Sequence, residues 1–128
     1  MTTVGLDTNA LMMPVECGVR VFDELDRLLG AGMADYVIPQ AVVDELEALS
    51  TGGGKEAKAA SVGKDLVARC RVVETNESYA DDAIVELAED GLFASVVTND
   101  RPLRDRLLSR GVRVIGVRGT NRLGITEP

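Results

Sequence analysis

The sequence predicts an α/β protein in which a parallel sheet is covered by helices on both faces. Short valine-rich segments alternate with longer amphipathic segments along the chain, in the order β-α-β-α-α-β-α-β-α-β. Such alternation is typical of parallel sheets, whose doubly covered strands are short apolar runs. The length of 128 residues suits one domain with one core. We expect residues 1–118 to form this domain and residues 119–128 to form a polar C-terminal tail.

Two strands, each followed by a helix, are predicted first. Residues 4–6 are a short apolar run that reads as a strand. Residues 19–29 carry apolar side chains at helical spacing, and glycines end this helix. Residues 36–38 form the next strand. Pro39 begins the following helix, because proline lacks the N–H that a helix interior would need.

A glycine-rich break over residues 50–54 separates this helix from the next one. Residues 55–70 are rich in alanine and predict a helix, with Val62, Leu66 and Val67 on its buried face. The break contains a Gly-Lys pair but lacks the other residues of a phosphate-binding loop, so we interpret it as a plain linker.

The second half of the chain predicts three further strands and two helices. The strands are expected over residues 71–73, 93–98 and 112–117. One helix is expected to start at Ser78 and another to span residues 101–110, since both segments carry apolar residues at helical spacing. The weakly patterned tail follows the last strand.

Composition narrows the class of protein. No apolar run approaches the roughly 18 residues of a membrane span, and the N-terminal residues lack the basic start of a signal peptide, so we expect a cytoplasmic protein.

The chain has no histidine, and Cys17 and Cys70 form no CxxC pair. Histidine-based catalysis is therefore excluded and a zinc site is disfavoured. Both cysteines are expected to be buried free thiols in a reducing compartment.

Charge is distributed unevenly along the chain, whose formal net charge is −7. Residues 1–100 carry 7 basic and 19 acidic side chains, whereas residues 101–128 carry 7 arginines and 2 acids. The acidity fits either a protein kept soluble by its charge or a cluster of acids that holds a cation, and composition does not separate the two.

Acidic residues follow each of the first four strands. Asp7 ends the first strand, and Asp100 ends the fourth. Glu45 lies within the first two turns of the helix after the second strand, and Asp81 and Asp82 open the helix after the third. Ligands of open α/β sheets bind outside the carboxyl ends of the strands, so these carboxylates are expected at one edge of the sheet.

Convergent carboxylates favour a hard divalent cation, because like charges repel unless a cation neutralises them. Oxygen-only ligand sets select Mg²⁺ or Mn²⁺ over zinc or copper. A cation held in this way typically acts on phosphate esters, since it lowers the pKa of a bound water and stabilises the leaving oxygen. This chemistry needs no histidine and therefore matches the composition.

Each of these acids also has a structural interpretation. Asp7 and Asp100 are candidate N-caps of the segments that follow them. Ser78 and Asp81 have nearly the spacing of a capping box, which would leave Asp82 free to face a metal ion. Glu45, taken alone, would be a solvated acid on a helix surface. The interpretation as a site therefore depends on the shared position of the acids and not on any one of them.

Four stretches that contain these acids resemble the PIN domain, a family of small metal-dependent ribonucleases. They are LDTNAL at residues 6–11, IPQAVVDELEAL at 38–49, YADDAIVELA at 79–88 and VVTNDRPLRDRL at 96–107. Together they cover nearly the whole chain in the order and spacing of the family. The stretch containing TNDRPL is the most specific of the four.

The resemblance implies a three-layer α/β/α sandwich with a central parallel sheet of four to five strands. It assigns the catalytic acids of the family to Asp7, Glu45, Asp82 and Asp100. It implies that Mg²⁺ or Mn²⁺ is held by Asp7, Asp82 and Asp100, with Asp81 as the alternative ligand because the doubled aspartate leaves the register open by one residue. The polar residues beside the metal ion would be Thr8, Asn9, Thr98 and Asn99.

Two subgroups of the family share these features. Archaeal proteins similar to the small-subunit rRNA-processing PIN nuclease share the doubled aspartate, the Gly-Lys break before an alanine-rich helix and an arginine-containing ending. We therefore expect a role in rRNA processing and ribosome biogenesis first. Toxin ribonucleases of the VapC type share the size and the acids, and an antitoxin partner is expected only under that interpretation. Homodimers are common in the family.

The C-terminal arginines are expected to bind the RNA backbone. Their alternative interpretation is a solvated helix face paired with nearby carboxylates. The aromatic content of 3% argues against base stacking as the main contact with RNA. The candidate RNA-binding residues are Arg101, Arg104, Arg118 and Arg122.

Two other classes of function remain open from the sequence. A receiver-like signalling domain would need an aspartate after the third strand and a lysine after the fifth. The chain instead has Glu74, Thr75 and Asn76 at the first position and Arg118 at the second. A non-catalytic RNA-binding assembly factor is the other alternative, and metal-dependent cleavage separates it from a nuclease.

Overall fold

A six-stranded sheet forms the centre of the computed structural model, which describes all residues from 1 to 128. Strands β1 to β6 span Thr2–Leu6, Ala34–Pro39, Arg71–Val73, Ser95–Val97, Arg113–Val117 and Leu123–Thr126. Helices α1 to α6 span Thr8–Glu16, Val21–Leu29, Gln40–Ser50, Gly54–Leu66, Ala80–Glu89 and Arg101–Leu108. None of these helices combines the length and the apolar character needed to cross a membrane.

The strand order β3-β2-β1-β4-β5-β6 places β1 and β4 side by side at the centre. The first five strands are parallel, which confirms the predicted α/β class with helices flanking a central sheet. All five therefore end at the same edge of the sheet, where ligands of such folds bind. We call this edge the carboxyl edge.

The sheet has six strands instead of the four to five expected. The additional strand is β6, which pairs antiparallel with β5 from Val117 opposite Leu123 to Val114 opposite Thr126. It lies within residues 119–128, the segment expected to be a polar tail. It is only four residues long, and Leu123 is its only fully buried side chain. The strand therefore depends on contacts with distant parts of the chain.

Helix α2 provides those contacts. The Glu24 carboxylate accepts the backbone N–H of Leu123 at 3.0 Å, and the Arg27 guanidinium donates to the Leu123 carbonyl at 2.8 Å. Arg27 also pairs with Glu24 at 2.8 Å. The hydrogen bond from Arg27 and that from Leu123 lower the pKa of Glu24 to about 2. Two side chains of one helix thus satisfy both backbone groups of the first residue of β6.

Replacement of Glu24 by alanine is expected to loosen β6 selectively. The amides of residues 123–126 should exchange hydrogen about tenfold faster or more, because the charged acceptor of the Leu123 amide is lost. Amides of β1 should keep their protection. Asp23→Ala is the matched control, since Asp23 is exposed and pairs only with Arg20. Equal exchange in both variants would show that α2 does not hold β6.

A second difference from the sequence is helix α1, where no helix was expected. Met12 and Met13 lie in it and are buried. Pro14 lies inside the helix and obscures its pattern in the sequence. The helix packs closely on α4, since a Cβ at Gly63 would lie 3.0 Å from the Leu11 carbonyl oxygen.

This close packing also corrects the expected buried face of α4. Ala59, Ala60 and Gly63 are its buried residues, because only small side chains allow the two backbones to approach. The three larger apolar residues expected there lie at the margin and are half-buried. They are Val62, Leu66 and Val67.

Both cysteines are free, as predicted, but half-buried and not fully buried. Burial raises the pKa of the Cys70 thiol to about 11. The thiol is therefore protonated at neutral pH, and a protonated thiol is a poor nucleophile and metal ligand.

Candidate metal-binding site at the carboxyl edge

Asp7 lies at the end of the central strand β1 and is only 2% exposed. One carboxylate oxygen accepts the backbone N–H of Ala10 at 2.7 Å, so Asp7 is the N-cap of α1. The other oxygen accepts a short hydrogen bond from the Thr98 hydroxyl. The carboxylate is therefore fixed from both sides, and each oxygen keeps a lone pair for a further ligand.

Thr98 connects Asp7 to Asp100. It follows strand β4, which is paired with β1, and it is 1% exposed. Its hydroxyl donates to Asp7 and accepts the backbone N–H of Asp100 at 3.0 Å. The Asp100 carboxylate accepts the N–H of Leu103 at 3.1 Å and caps α6. Both capping roles considered from the sequence are confirmed, and they orient the two carboxylates.

Burial raises the pKa of Asp7 from 3.8 to about 7. The hydrogen bonds from Thr98 and Ala10 oppose this shift, whereas the negative charges of Asp81 and Asp100 add to it. A cation bound nearby would favour the ionised form of Asp7, because it would offset the burial and the repulsion by the two other carboxylates. Asp7 is thus electrostatically linked to both other aspartates.

The two aspartates at the start of α5 have different surroundings in the structure. Burial raises the pKa of Asp81, and the charges of Asp100 and Glu45 raise it further. Asp82 instead forms an ion pair with Arg106 of α6 at 3.0 Å. The expectation that Asp82 faces the metal stays a prediction, whereas the electrostatic coupling to Asp100 and Glu45 involves Asp81. The Asp82–Arg106 pair left no signal in the sequence because its partners are 24 residues apart.

The expected capping box at this helix is wrong. Helix α5 begins at Ala80, its N-cap is Tyr79, and no side chain bonds to the cap. Ser78 lies outside the helix, so Asp81 has no capping role there. This leaves the Asp81 carboxylate available to the other acids. We call the group Asp7, Glu45, Asp81 and Asp100 the acidic rim.

The predicted supporting residues link the ends of three strands. The Asn9 side-chain oxygen accepts the backbone N–H of Asn99 at 3.2 Å, and the Asn99 side-chain oxygen accepts the N–H of Val117 at 3.3 Å. The Thr8 hydroxyl is buried beside Asp7 without a hydrogen-bond partner. Asn9, Thr98 and Asn99 therefore hold the ends of β1, β4 and β5 in register beneath the acidic rim.

The donor chemistry of the acidic rim fits a hard divalent cation. Its four side chains offer only carboxylate oxygens, the ligands that Mg²⁺ and Mn²⁺ prefer. The unpartnered Thr8 hydroxyl adds one more oxygen. No three acidic or thiol side chains are gathered closely enough in the structure to hold an ion as they stand. The fit of a cation to the acidic rim therefore depends on the type of donor atoms and on the electrostatic coupling among the carboxylates.

The four candidate RNA-binding arginines differ in their surroundings. Arg101 and Arg122 are exposed, and neither forms an ion pair. Arg104 lies 3.5 Å from Asp105, and Arg118 donates to β6. The remaining arginines of this region pair with acids, as the alternative interpretation expected. These are Arg106 with Asp82, Arg110 with Glu89 and Arg113 with Glu127.

Known proteins are similar to this chain in sequence and in fold. Ribonuclease VapC4 of Methanocaldococcus jannaschii is 29% identical over 115 residues, which cover 88% of this chain and 87% of that protein. The structure of the PIN domain endonuclease Utp24 superposes with a TM-score of 0.76 at 25% identity, covering 98% of this chain and 92% of the other. VapBC2 of Rickettsia felis, solved with a promoter DNA fragment, superposes with a TM-score of 0.56 at 16% identity. The superposition covers 91% of this chain and 100% of the other, and it supports the fold alone.

The family model described as "PIN like domain" matches residues 4–120 of the chain. The match includes all four residues of the acidic rim. It also includes residues 4–6 of β1 and the whole of β2, β3, β4 and β5. The chain belongs to the PIN-like domain family.

Proposed function

We propose that this protein is an endoribonuclease that requires Mg²⁺ or Mn²⁺ and hydrolyses RNA at the acidic rim. The observation that carries the proposal is the buried Asp7 carboxylate, held by Thr98 and coupled to Asp81 and Asp100. The related VapC4 is a ribonuclease and Utp24 is a PIN domain endonuclease, which supports the same class of reaction here.

Asp7, Asp81 and Asp100 would hold the cation, with Glu45 at the edge of the group. A divalent cation bound there would supply an activated water and stabilise charge on the phosphate. The protein's own contribution is positional: Thr98 fixes Asp7 and the loop before Asp100, and helix α5 carries Asp81 to them. Asp82 is not proposed as a ligand, because its carboxylate is paired with Arg106.

A role in rRNA processing is our first proposal, and it rests on the doubled aspartate, the Gly-Lys break and the arginine-containing ending. The likeness to the PIN domain endonuclease Utp24 over 98% of the chain supports an endonuclease. The relationship to VapC4 supports the alternative of a toxin ribonuclease with an antitoxin partner. Cleavage mapped on rRNA precursors and on total RNA separates the two: discrete cuts at precursor junctions favour processing. Cuts in mature RNA, suppressed by a neighbouring gene product, favour the toxin.

Asp81→Asn is expected to reduce metal-dependent cleavage of a labelled RNA by roughly 10²-fold or more, because one charged ligand of the cation is lost. Asp82→Asn should keep activity within about threefold of the wild type, because Asp82 is a half-exposed partner of Arg106. Initial rates with Mn²⁺, Mg²⁺ and EDTA measure both.

The two variants control for each other, since they remove the same charge from adjacent positions of one helix. The reverse ranking, with Asp82→Asn the inactive variant, would restore the assignment made from the sequence. Binding of RNA without cleavage by the wild type in any metal would favour the non-catalytic assembly factor.

A further inference from the structure

A cavity of about 190 Å³ lies beside the acidic rim, between helix α6 and strands β5 and β6. It is lined by two arginines, by polar side chains and by glycine backbone, and no acidic residue lines it. The volume equals that of about six water molecules, which is room for a phosphate group. Its lining includes Thr98, Arg104, Arg118, Gly124 and Thr126.

Strand β6 holds the Arg118 guanidinium in place. One terminal nitrogen donates to the Ile125 carbonyl at 3.2 Å and to the Thr126 hydroxyl at 3.1 Å. The side chain lies flat on Gly124, where a Cβ would approach its Cδ and Nε atoms to 2.9 Å. The Nε and the second terminal nitrogen make no hydrogen bond to protein. Arg118 therefore presents free donors on a pre-ordered side chain.

Arg104 lines the same cavity, and 38% of its side chain is exposed. Its Nε is buried and lies 3.5 Å from the Asp105 carboxylate. The two terminal nitrogens make no hydrogen bond to protein, so they remain available to an acceptor. Guanidinium groups match phosphate oxygens through paired N–H donors, so a phosphate is the acceptor that suits both arginines.

Thr98 connects this cavity to the acidic rim. Its hydroxyl binds Asp7, while the same residue lines the cavity wall. The carboxylates thus lie on one side of Thr98 and the two guanidiniums on the other. A nucleic-acid strand that places one phosphate at the rim brings neighbouring phosphates close to the cavity, because phosphates repeat along the backbone.

We propose that the Arg104–Arg118 cavity binds a backbone phosphate of RNA that flanks the cleaved bond. The inference rests on the proposed ribonuclease function for the identity of the strand. It explains how a chain with a net charge of −7 can bind a polyanion, since the positive charge is concentrated beside the site. The two arginines are positioning residues, and the cation site remains that of the acidic rim.

Arg104→Gln and Arg118→Gln are expected to weaken RNA binding about tenfold each and to raise KM more than they lower kcat. In EDTA, where no cleavage occurs, the slope of log K against log salt should fall by about one for each variant. Arg118→Lys should recover only part of the loss, because lysine keeps the charge but not the paired donors. Arg104→Gln leaves the β6 contacts intact and thus tests the cavity without disturbing the strand.

Arg113→Gln is the matched control, since Arg113 begins β5 whereas Arg118 follows its end, and Arg113 pairs with Glu127. It removes the same charge and should leave KM and the salt slope unchanged. Equal effects of Arg113→Gln and Arg118→Gln would overturn the phosphate site, even if the wild type cleaves RNA. A wild type that binds RNA without cleaving it would contradict the proposed nuclease function. A loss of RNA binding confined to the Arg104 and Arg118 variants would then still support the phosphate site.

Discussion

Asp7→Asn is expected to abolish metal-dependent RNA cleavage, with a fall in rate on the order of 10³-fold or more. Asparagine has nearly the same shape and can still accept the Ala10 N–H, so α1 keeps its cap. The substitution removes the negative charge at the centre of the acidic rim, and the asparagine NH2 group replaces the oxygen that accepts the Thr98 hydroxyl. Single-turnover cleavage of a labelled RNA at saturating Mn²⁺ measures the loss.

Asp35→Asn provides the control for this experiment. Asp35 is near the start of β2, away from the carboxyl edge, and pairs with Arg71 at 2.9 Å. Its variant should cleave at the wild-type rate. If Asp7→Asn retained wild-type activity, Asp7 would be only a helix cap, and the acidic rim would lose its central member.

The sequence is sufficient to predict the five parallel strands. Strands β1, β2, β3, β4 and β5 were all expected, because continuous apolar runs between turn residues have few other structures available. This includes β3, an edge strand that is largely exposed. The same reasoning placed Asp7 and Asp100 at the carboxyl edge, since a residue that follows a parallel strand has only one edge to occupy.

Strand β6 was missed because its stability comes from elsewhere in the chain. Its residues have little apolar pattern, and Glu24 and Arg27 of α2 bind it across more than 90 residues of sequence. No local pattern reports such a contact. Helix α1 was missed for a local reason, since Pro14 interrupts its periodicity.

The choice between Asp81 and Asp82 also lay beyond the sequence. Side chains of neighbouring helix residues point about 100° apart. An error of one residue in the register of α5 therefore assigns the direction of Asp81 to Asp82. In the structure α5 starts at Ala80 and Asp82 pairs with Arg106, and this pairing depends on how α5 packs against α6, which the sequence does not show.

Without a divalent cation, the free energy of unfolding is expected to fall as pH rises from about 4 to 8. Asp7 has a pKa of about 7 in the folded protein against 3.8 in the unfolded chain, so between these values the folded state binds more protons. Stability must then decrease with pH, because ionising the buried carboxylate is unfavourable. A shift of this size corresponds to roughly 4 kcal/mol at most, and the loss is complete only above pH 7.

Asp7→Asn should remove this pH dependence and make the cation-free protein more stable than the wild type at pH 8, by roughly 2 to 4 kcal/mol. Urea unfolding in EDTA at several pH values measures both curves, and their difference cancels the acids common to both, such as Glu24. Asp82→Asn is the control and should follow the wild-type curve. Parallel curves for wild type and Asp7→Asn would show that Asp7 is not held in an unfavourable ionised state.

Addition of Mn²⁺ or Mg²⁺ at pH 8 should then restore the stability of the wild type, by about 2.7 kcal/mol at a concentration one hundred times Kd. The same addition should leave Asp7→Asn nearly unchanged, because the buried charge that the cation neutralises is gone. This response requires no RNA and no turnover, so it tests the acidic rim separately from catalysis. A cation that stabilised both proteins equally would bind elsewhere, and the carboxylates of the rim would be coupled to one another without forming a metal site.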